Sequence, residues 1–284
     1  MIDSSDAILD EAANVLSALY GNKLGSLVIE RVVVGVFFVG VKLSNGCAGV
    51  AYTPPEVIKK AGNRILKGPV PVIHGMPALK AADGDIPGPF AGIIRLAALN
   101  ALSVPFFRNG HFGAATNGDL SQLPIFKNRR VCMVGAIIPL LKRLKELGTA
   151  QVTIIDRKEE TRAEAEAGYG EFVRPEHTAQ VLAGCQTAVF TGAAVANGSI
   201  TQLIQWVPPD AVIAVVGPSA GFVPEPLFRR NVAVVATAMV TRSDLALEVL
   251  AEGGGGYRIL GSCASKINLL NTERLRQLGL PSTF

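Results

Sequence analysis

The chain has 284 residues, 49% hydrophobic and 18% charged, and its 27 basic and 23 acidic side chains give a formal net charge of +4. That length and composition suit a compact two-domain α/β protein and exclude a long disordered tail. The charges are mixed without a basic run or aromatic–basic interleaving, which argues against nucleic acid as a partner; the longest strictly apolar run, Val32 to Val41, has ten residues, well short of the roughly 20 that span a membrane.

An amphipathic helix opens the chain: Ser4, Ser5 and Asp6 offer N-cap side chains, and Ile8, Ala12, Val15, Leu16 and Leu19 recur on one face up to Gly21. The first residues, MIDSSDAILDEAA, lack the basic start and apolar core of a signal peptide, so a cytoplasmic location is expected. Residues 27–34 and 36–43 read as strands. Ser44-Asn45-Gly46 carries the Asn-Gly signature of a tight hairpin, and residues 47–52 complete an antiparallel meander. Thr53-Pro54-Pro55 ends the third strand, and residues 56–66 form a short helix with a solvated lysine face. Residues 67–90, with five prolines, four glycines, His74, Asp83 and Asp85, are too irregular for a simple connector and make either a lid or a packed excursion. Residues 90–102 read as a helix apolar nearly all round, with only Arg95 and Asn100 strongly polar; Asn100 either ties the helix to a neighbouring backbone or faces a ligand. The turn-rich stretch 108–118, in which His111 is expected to be structural or exposed, leads to a boundary separating residues 1–125 from 126–284.

The second domain is organised around RVCMVGAIIPLLKRLKELGTAQVTIID, residues 130–156. Val131 to Val134 make a strand, Gly135 breaks it, and Ile137, Leu141, Leu144 and Leu147 recur at helical spacing up to Gly148, with Pro139 in the first turn. A second strand, 152–155, closes on Asp156, 21 residues after Gly135, where a dinucleotide fold keeps its ribose-binding carboxylate. The three-glycine fingerprint is absent, because Ala136, Ile137 and Ile138 follow a lone Gly135 and the isoleucines would crowd a pyrophosphate. The unit therefore reads as a Rossmann-like scaffold with another ligand, and Asp156 either contacts that ligand or begins a turn. Helices at 175–182, 199–206 and 243–251 and a helical turn at 224–228 then alternate with strands at 187–190, 211–216 and 232–235, which implies a parallel sheet covered on both faces. Four glycines, 253–256, end the last clear helix, and a final amphipathic helix is expected around 272–278.

In an open parallel sheet, ligands collect beyond the carboxyl ends of the strands, where loops diverge and helix N-termini point free N–H groups outward. This nominates residues 135–139, 156–157, 191–197, 217–221 and 236–241, and within them Gly135, Asp156, Thr191, Gly192, Asn197, Gly217 and Ser219. Asn197 and Ser199 either help present backbone N–H groups to an anion or close a tight turn, and Ser219 either donates to a ligand or caps. No GxSxG, HExxH or phosphate-binding loop of the GxxxxGK type occurs. Cys47, Cys132, Cys185 and Cys263 have no ligand spacing and read as reduced, buried, small hydrophobes.

Six segments in this order, VGVKLSNGCAGVAYTP, LAALNALS, VCMVGAIIPLL, TGAAVANGSI, VVGPSAGFVPEPLF and VLAEGGGG, resemble the putative heavy-metal chelation family, a domain family of unknown function. The resemblance implies an N-terminal α+β domain shaped like the enolase N-terminal domain, a C-terminal Rossmann-like domain and a site in the cleft between them. Carried over by motif, Tyr52, Thr53 and Asn100 would line that cleft from one side, and Gly135, Thr191, Asn197, Gly217 and Ser219 from the other. The partner expected there is a small-molecule or metal-associated ligand, with a metal ion as candidate cofactor and a homo-oligomer as candidate assembly. These positions are poor in soft ligands, which favours an oxygen-rich ligand or a small metal-binding organic molecule over direct thiolate chelation. The alternative is a nucleotide- or S-adenosylmethionine-dependent enzyme with Asp156 on the ribose.

Overall fold

The structure, a computed structural model, describes residues 4–67, 72–113, 115–116, 120–157, 159–166, 168–255 and 261–281. Its N-terminal part comprises α1 (Ser4–Tyr20), the strands β1 (Ile29–Val34), β2 (Phe38–Leu43) and β3 (Ala48–Tyr52), and the helices α2 (Pro55–Lys67), α3 (Ala78–Ala82) and α4 (Ala91–Arg108). The three strands form the expected antiparallel meander in the order β1-β2-β3, with Val39 opposite Ala51 and Lys42 opposite Ala48. Gly46 takes the positive φ, 79°, that the hairpin turn requires.

Helix α4 is buried on most sides. It continues beyond residue 102 and contains Pro105, because burial of Val104 and Phe107 outweighs the lost backbone bond. It is long and apolar enough to cross a bilayer, yet 72% of it is buried inside the protein as a core helix. Arg95 and Asn100 are both held, Asn100 through its Nδ2 only. Arg95 pairs with Asp10 of α1 and donates to the Ala82 carbonyl, so its buried charge is compensated. In β3, Gly49 allows the α4 backbone to lie directly on the sheet: a Cβ there would be closer than any real Cβ contact to the Ala101 nitrogen and the Ala97 oxygen.

The described part of the 67–90 segment is a packed excursion. Met76 and Gly75 exchange backbone bonds with Ile29, Ala78 donates to Leu27, and Ala78, Ala81 and Ala82 of α3 are buried. Residues 68–71 of that segment, like Gly118 and Gly256 in the turn-rich and four-glycine stretches, lie outside the described residues.

The C-terminal part is built on β4 (Ala115–Thr116), β5 (Arg130–Val134), α5 (Ile138–Glu146), β6 (Gln151–Ile155), α6 (Glu159–Glu166), β7 (Glu171–Val173), α7 (Thr178–Ala183) and β8 (Thr187–Thr191). It continues through α8 (Ala193–Ala196), α9 (Ile200–Gln205), β9 (Val212–Val216), α10 (Glu225–Phe228), β10 (Val234–Val240), α11 (Ser243–Ala251), β11 (Ala264–Leu270) and α12 (Thr272–Gln277). Eight strands form one sheet in the order β4-β11-β10-β9-β8-β5-β6-β7. The six from β10 to β7 are parallel, and their order is that of the doubly wound dinucleotide-binding sheet, 3-2-1-4-5-6 when counted from β5. β11 and β4 add antiparallel strands at the β10 edge.

Two corrections to the sequence reading follow from that edge. Residues 236–241, expected as a loop, are mostly strand, because β11 pairs with β10 as far as Val240 opposite Ala264. The stretch after the glycines, where only a final helix is expected from the sequence, also contributes the strand β11. The short elements α6, β7 and α8 also lack a period long enough to show in the sequence.

The two parts share one core. The meander sheet is a middle layer, with α4 on one face and α11 on the other, where Phe38, Ala48 and Val50 pack with Leu247 and Leu250. Each large side chain fully buried in this way contributes about 1.5–3 kcal/mol. Polar ties reinforce the contact. Lys42 bridges Glu30 and Asp244 at 2.8 Å each, Ser103 Oγ accepts from Val223 N–H at 2.9 Å, and Ser243 Oγ donates to the Gly46 carbonyl at 2.6 Å. Arg230 sits 2.7 Å from Glu11 and, by hydrogen bonding it, holds that carboxyl below its ordinary range.

Candidate functional site

A cavity of about 590 Å³ lies beyond the carboxyl ends of β5, β6, β8 and β9, and the N-terminal part forms its other wall. The strand order reverses between β5 and β8, so this is the position at which open α/β sheets collect ligands. Tyr52, Gly135, Asp156, Thr191, Gly192, Asn197, Gly217 and Ser219 all line it. Thr53 and Asn100 do not; both are buried behind the wall, 2% and 4% exposed.

The glycines let three strand-end loops stack closely. Gly135 has φ of 84°, and a Cβ there would collide with the Thr191 methyl. A Cβ on Gly192 would sit 3.1 Å from the Gly217 carbonyl oxygen, while Gly217 itself has φ of 135°. Gly192 N–H donates to Val216 and Gly217 N–H to Ala236, which continues the sheet's bonding into the loops.

The turn before α5 is closed by the protein's own groups. Gly135 N–H donates to the Ile155 carbonyl at 2.8 Å, Ala136 N–H to Asp156 Oδ2 at 2.9 Å, and Ile137 N–H lies 3.3 Å from Met133 Sδ. Three N–H groups that a pyrophosphate would need are therefore already engaged, and Asp156 orients the turn. Asn197 Oδ1 likewise accepts from the N–H and hydroxyl of Ser199 at 3.0 and 2.7 Å, which closes the local turn.

Ser219 and Asn100 fix the wall between the two parts. Ser219, 1% exposed, accepts from Tyr52 N–H at 2.8 Å. Asn100 donates through Nδ2 to the Val50 carbonyl at 2.8 Å and the Pro218 carbonyl at 3.1 Å. One amide thus holds β3, α4 and the 217–221 loop together. Thr53 N–H donates to the Phe37 carbonyl, and its buried hydroxyl has no partner among the described residues.

Other lining residues emerge only once the chain folds. Phe38 and Pro54 come from the N-terminal part, and Gln202 and Trp206 from α9 and its end. Glu56 of α2 and Arg157 after β6 meet at 3.5 Å across the mouth, and their exposure makes the pair weak. Trp206 is the single tryptophan in the chain, a compositional cue. Phe38 carried no cue, since its position depends on the docking of the two parts. His111 is exposed and packs its ring against Phe106, outside the cavity.

Among the described residues the cavity's acidic lining residues are Glu56 and Asp156, and none of the four cysteines lines it. Among the described residues no group of three or more His, Cys, Asp or Glu could hold a metal ion. These donors do not fit a metal held by the protein alone.

No curated protein matches the chain by sequence. A structure of a DUF364-family protein of unknown function from Pyrococcus horikoshii superposes with a TM-score of 0.70 at 18% identity, covering 93% of this chain and 99% of that one. Another DUF364-family structure, from Desulfitobacterium hafniense, gives 0.63 at 18% identity, covering 91% and 99%. These likenesses establish the fold. Residues 18–103 match the DUF4213 profile and residues 119–269 match the DUF364 profile, both described as "Putative heavy-metal chelation". With more than half its length matched by the second profile, the chain belongs to the DUF364 family.

Proposed function

We propose that the protein binds one small organic molecule of low net charge in the cavity at the strand-order reversal, and that a heavy metal enters as cargo of that molecule. The chemistry of the lining carries this reading. Phe38, Tyr52 and Trp206 supply apolar faces, while Arg157, the single cation among the described lining residues, is outweighed by Glu56 and Asp156. A polyanion would meet a net negative wall, whereas a neutral or zwitterionic chelator would not. Asn197, Ser199 and Gln202 add neutral polar groups, and the volume falls within the usual range for small-molecule sites.

The strand order and the place of Asp156 favour a second reading, a nucleotide- or S-adenosylmethionine-dependent enzyme. Thermal-shift and calorimetric titration against amino-acid-derived and heteroaromatic chelators, NAD and S-adenosylmethionine separate the two. The expected result is binding of a chelator, weakened about tenfold or more in Trp206→Ala through loss of an aromatic face. Tight NAD or S-adenosylmethionine binding that disappears in Asp156→Ala would replace this reading with the second.

A further inference from the structure

At the opposite, amino-terminal ends of the parallel strands lies a second cavity, of about 330 Å³. It is lined by Lys127 and Arg129 just before β5, Gln186 just before β8, and Asp210 and Ala211 just before β9. Hydrogen bonds fix its frame. Asn128, with φ of 56°, donates its N–H to the Gly148 carbonyl at 3.3 Å, and Arg129 N–H donates to Phe126 at 3.2 Å. Gln186 exchanges bonds with Arg130: its N–H donates to the Arg130 carbonyl, and its Oε1 accepts the Arg130 N–H, both at 3.0 Å. Ala211 N–H closes the third turn on Pro208 at 3.1 Å, and Arg274 braces that turn by donating to the Pro209 and Ala211 carbonyls. The charged groups are not paired within this frame. Among the described residues neither Lys127 nor Asp210 makes an ion pair, and the Arg129 guanidinium engages only Nη1, 3.4 Å from the Gln186 carbonyl.

We propose that this second cavity binds one small oxyanion, the carboxylate or phosphate group of a small molecule, between Lys127 and Arg129. The inventory of donors selects that chemistry. Lys127 brings an ammonium group, and Arg129, with Nη1 already engaged, keeps the Nε–Nη2 edge that matches two oxygens of a carboxylate or phosphate. Because the Arg130 N–H occupies Gln186 Oε1, the Gln186 amide can offer a further ligand only its Nε2 hydrogens or a second lone pair. Against these stands one carboxylate, Asp210, so the described lining carries a net positive charge and a concave wall concentrates its field. The large cavity has the reverse balance, with two carboxylates and one cation among its described lining residues. None of the residues of the second cavity lines the large one, so the two sites are tested separately.

The probes are inorganic phosphate and acetate, each titrated calorimetrically into the full-length protein at constant ionic strength against a chloride control. One oxyanion per chain is expected to bind with Kd of about 1 mM or below, and more weakly as salt rises. Lys127→Gln and Arg129→Gln should each weaken binding about tenfold through loss of a charge-assisted contact, whereas Asp210→Asn should tighten it about two- to threefold by removing a like charge. Lys142→Gln takes an exposed charge from α5 and is the control for net charge; affinity should not change. Saturation by either anion supports the site, and the tighter of the two identifies the anionic group of the ligand. No saturable binding of either anion, or unchanged affinity in Lys127→Gln, would overturn the proposal. So would an equal loss in Lys142→Gln, which would make the effect one of net charge, or in Arg157→Gln, which would place the anion in the large cavity. Should Arg129→Gln misfold, Lys127→Gln decides, because that side chain is exposed and no described residue depends on it.

Discussion

Gly49→Ala is expected to destabilise the protein by about 3 kcal/mol or more, at the upper end of overpacking effects, and to lower Tm by about 6–12 °C. The added methyl would meet the backbone of α4 at Ala97 and Ala101. A clash with a side-chain end can be relieved by a rotamer change; here the whole helix must lift from β3. Lifting it would pull Asn100 away from Val50 and Pro218 and disturb the wall of the cavity. Gly92→Ala, in α4 itself, is the control, with nothing near its added methyl; it should gain up to about 1 kcal/mol from helix propensity. Urea and thermal unfolding of the two variants measure the contrast. Equal stabilities would mean that α4 and the sheet are further apart than described.

Asn100→Ala comes next, with an expected cost of about 2–4 kcal/mol, because two carbonyls lose their donor and a buried space is left. Asn100→Asp should be worse at neutral pH, since an ionised carboxylate would face the Val50 and Pro218 oxygens without a proton to donate. Those acceptors raise its folded pKa, so stability falls as pH rises through the carboxylate range and is recovered when acid protonates the group. Unfolding curves against pH test the sign. Chelator affinity measured on the folded Asn100→Ala protein should fall through loosening of the 217–221 loop. Unchanged affinity would confine Asn100 to stability.

Particular residues show where the sequence was legible and where it was not. The meander was readable because Asn45-Gly46 demands a tight turn and the flanking segments are apolar. The β5-α5-β6 unit was readable because its period changes from strand to helix at Gly135, and the alternation beyond it foretold the parallel sheet. The end of α4 was not, since Pro105 argues locally for a stop and only burial reverses that argument. The β10-β11 pair was hidden because antiparallel pairing across the glycine-rich stretch is a long-range contact. At the site, strand-end reasoning found the loops, but it did not reveal that the N–H groups around Gly135 are used internally. Phe38, Glu56 and Trp206 required docking of the two parts.

The short strand β4 precedes the matched DUF364 segment, yet it caps the edge of the sheet on which that segment is built. Expression of residues 119–284 alone would remove this cover and bare the seven-residue strand β11 as a template for pairing between molecules. It would also strip Phe222 and Val223 of the core they share with Leu99 and Leu102. Such a fragment is expected to collect in the insoluble fraction, so the two parts behave as one folding unit.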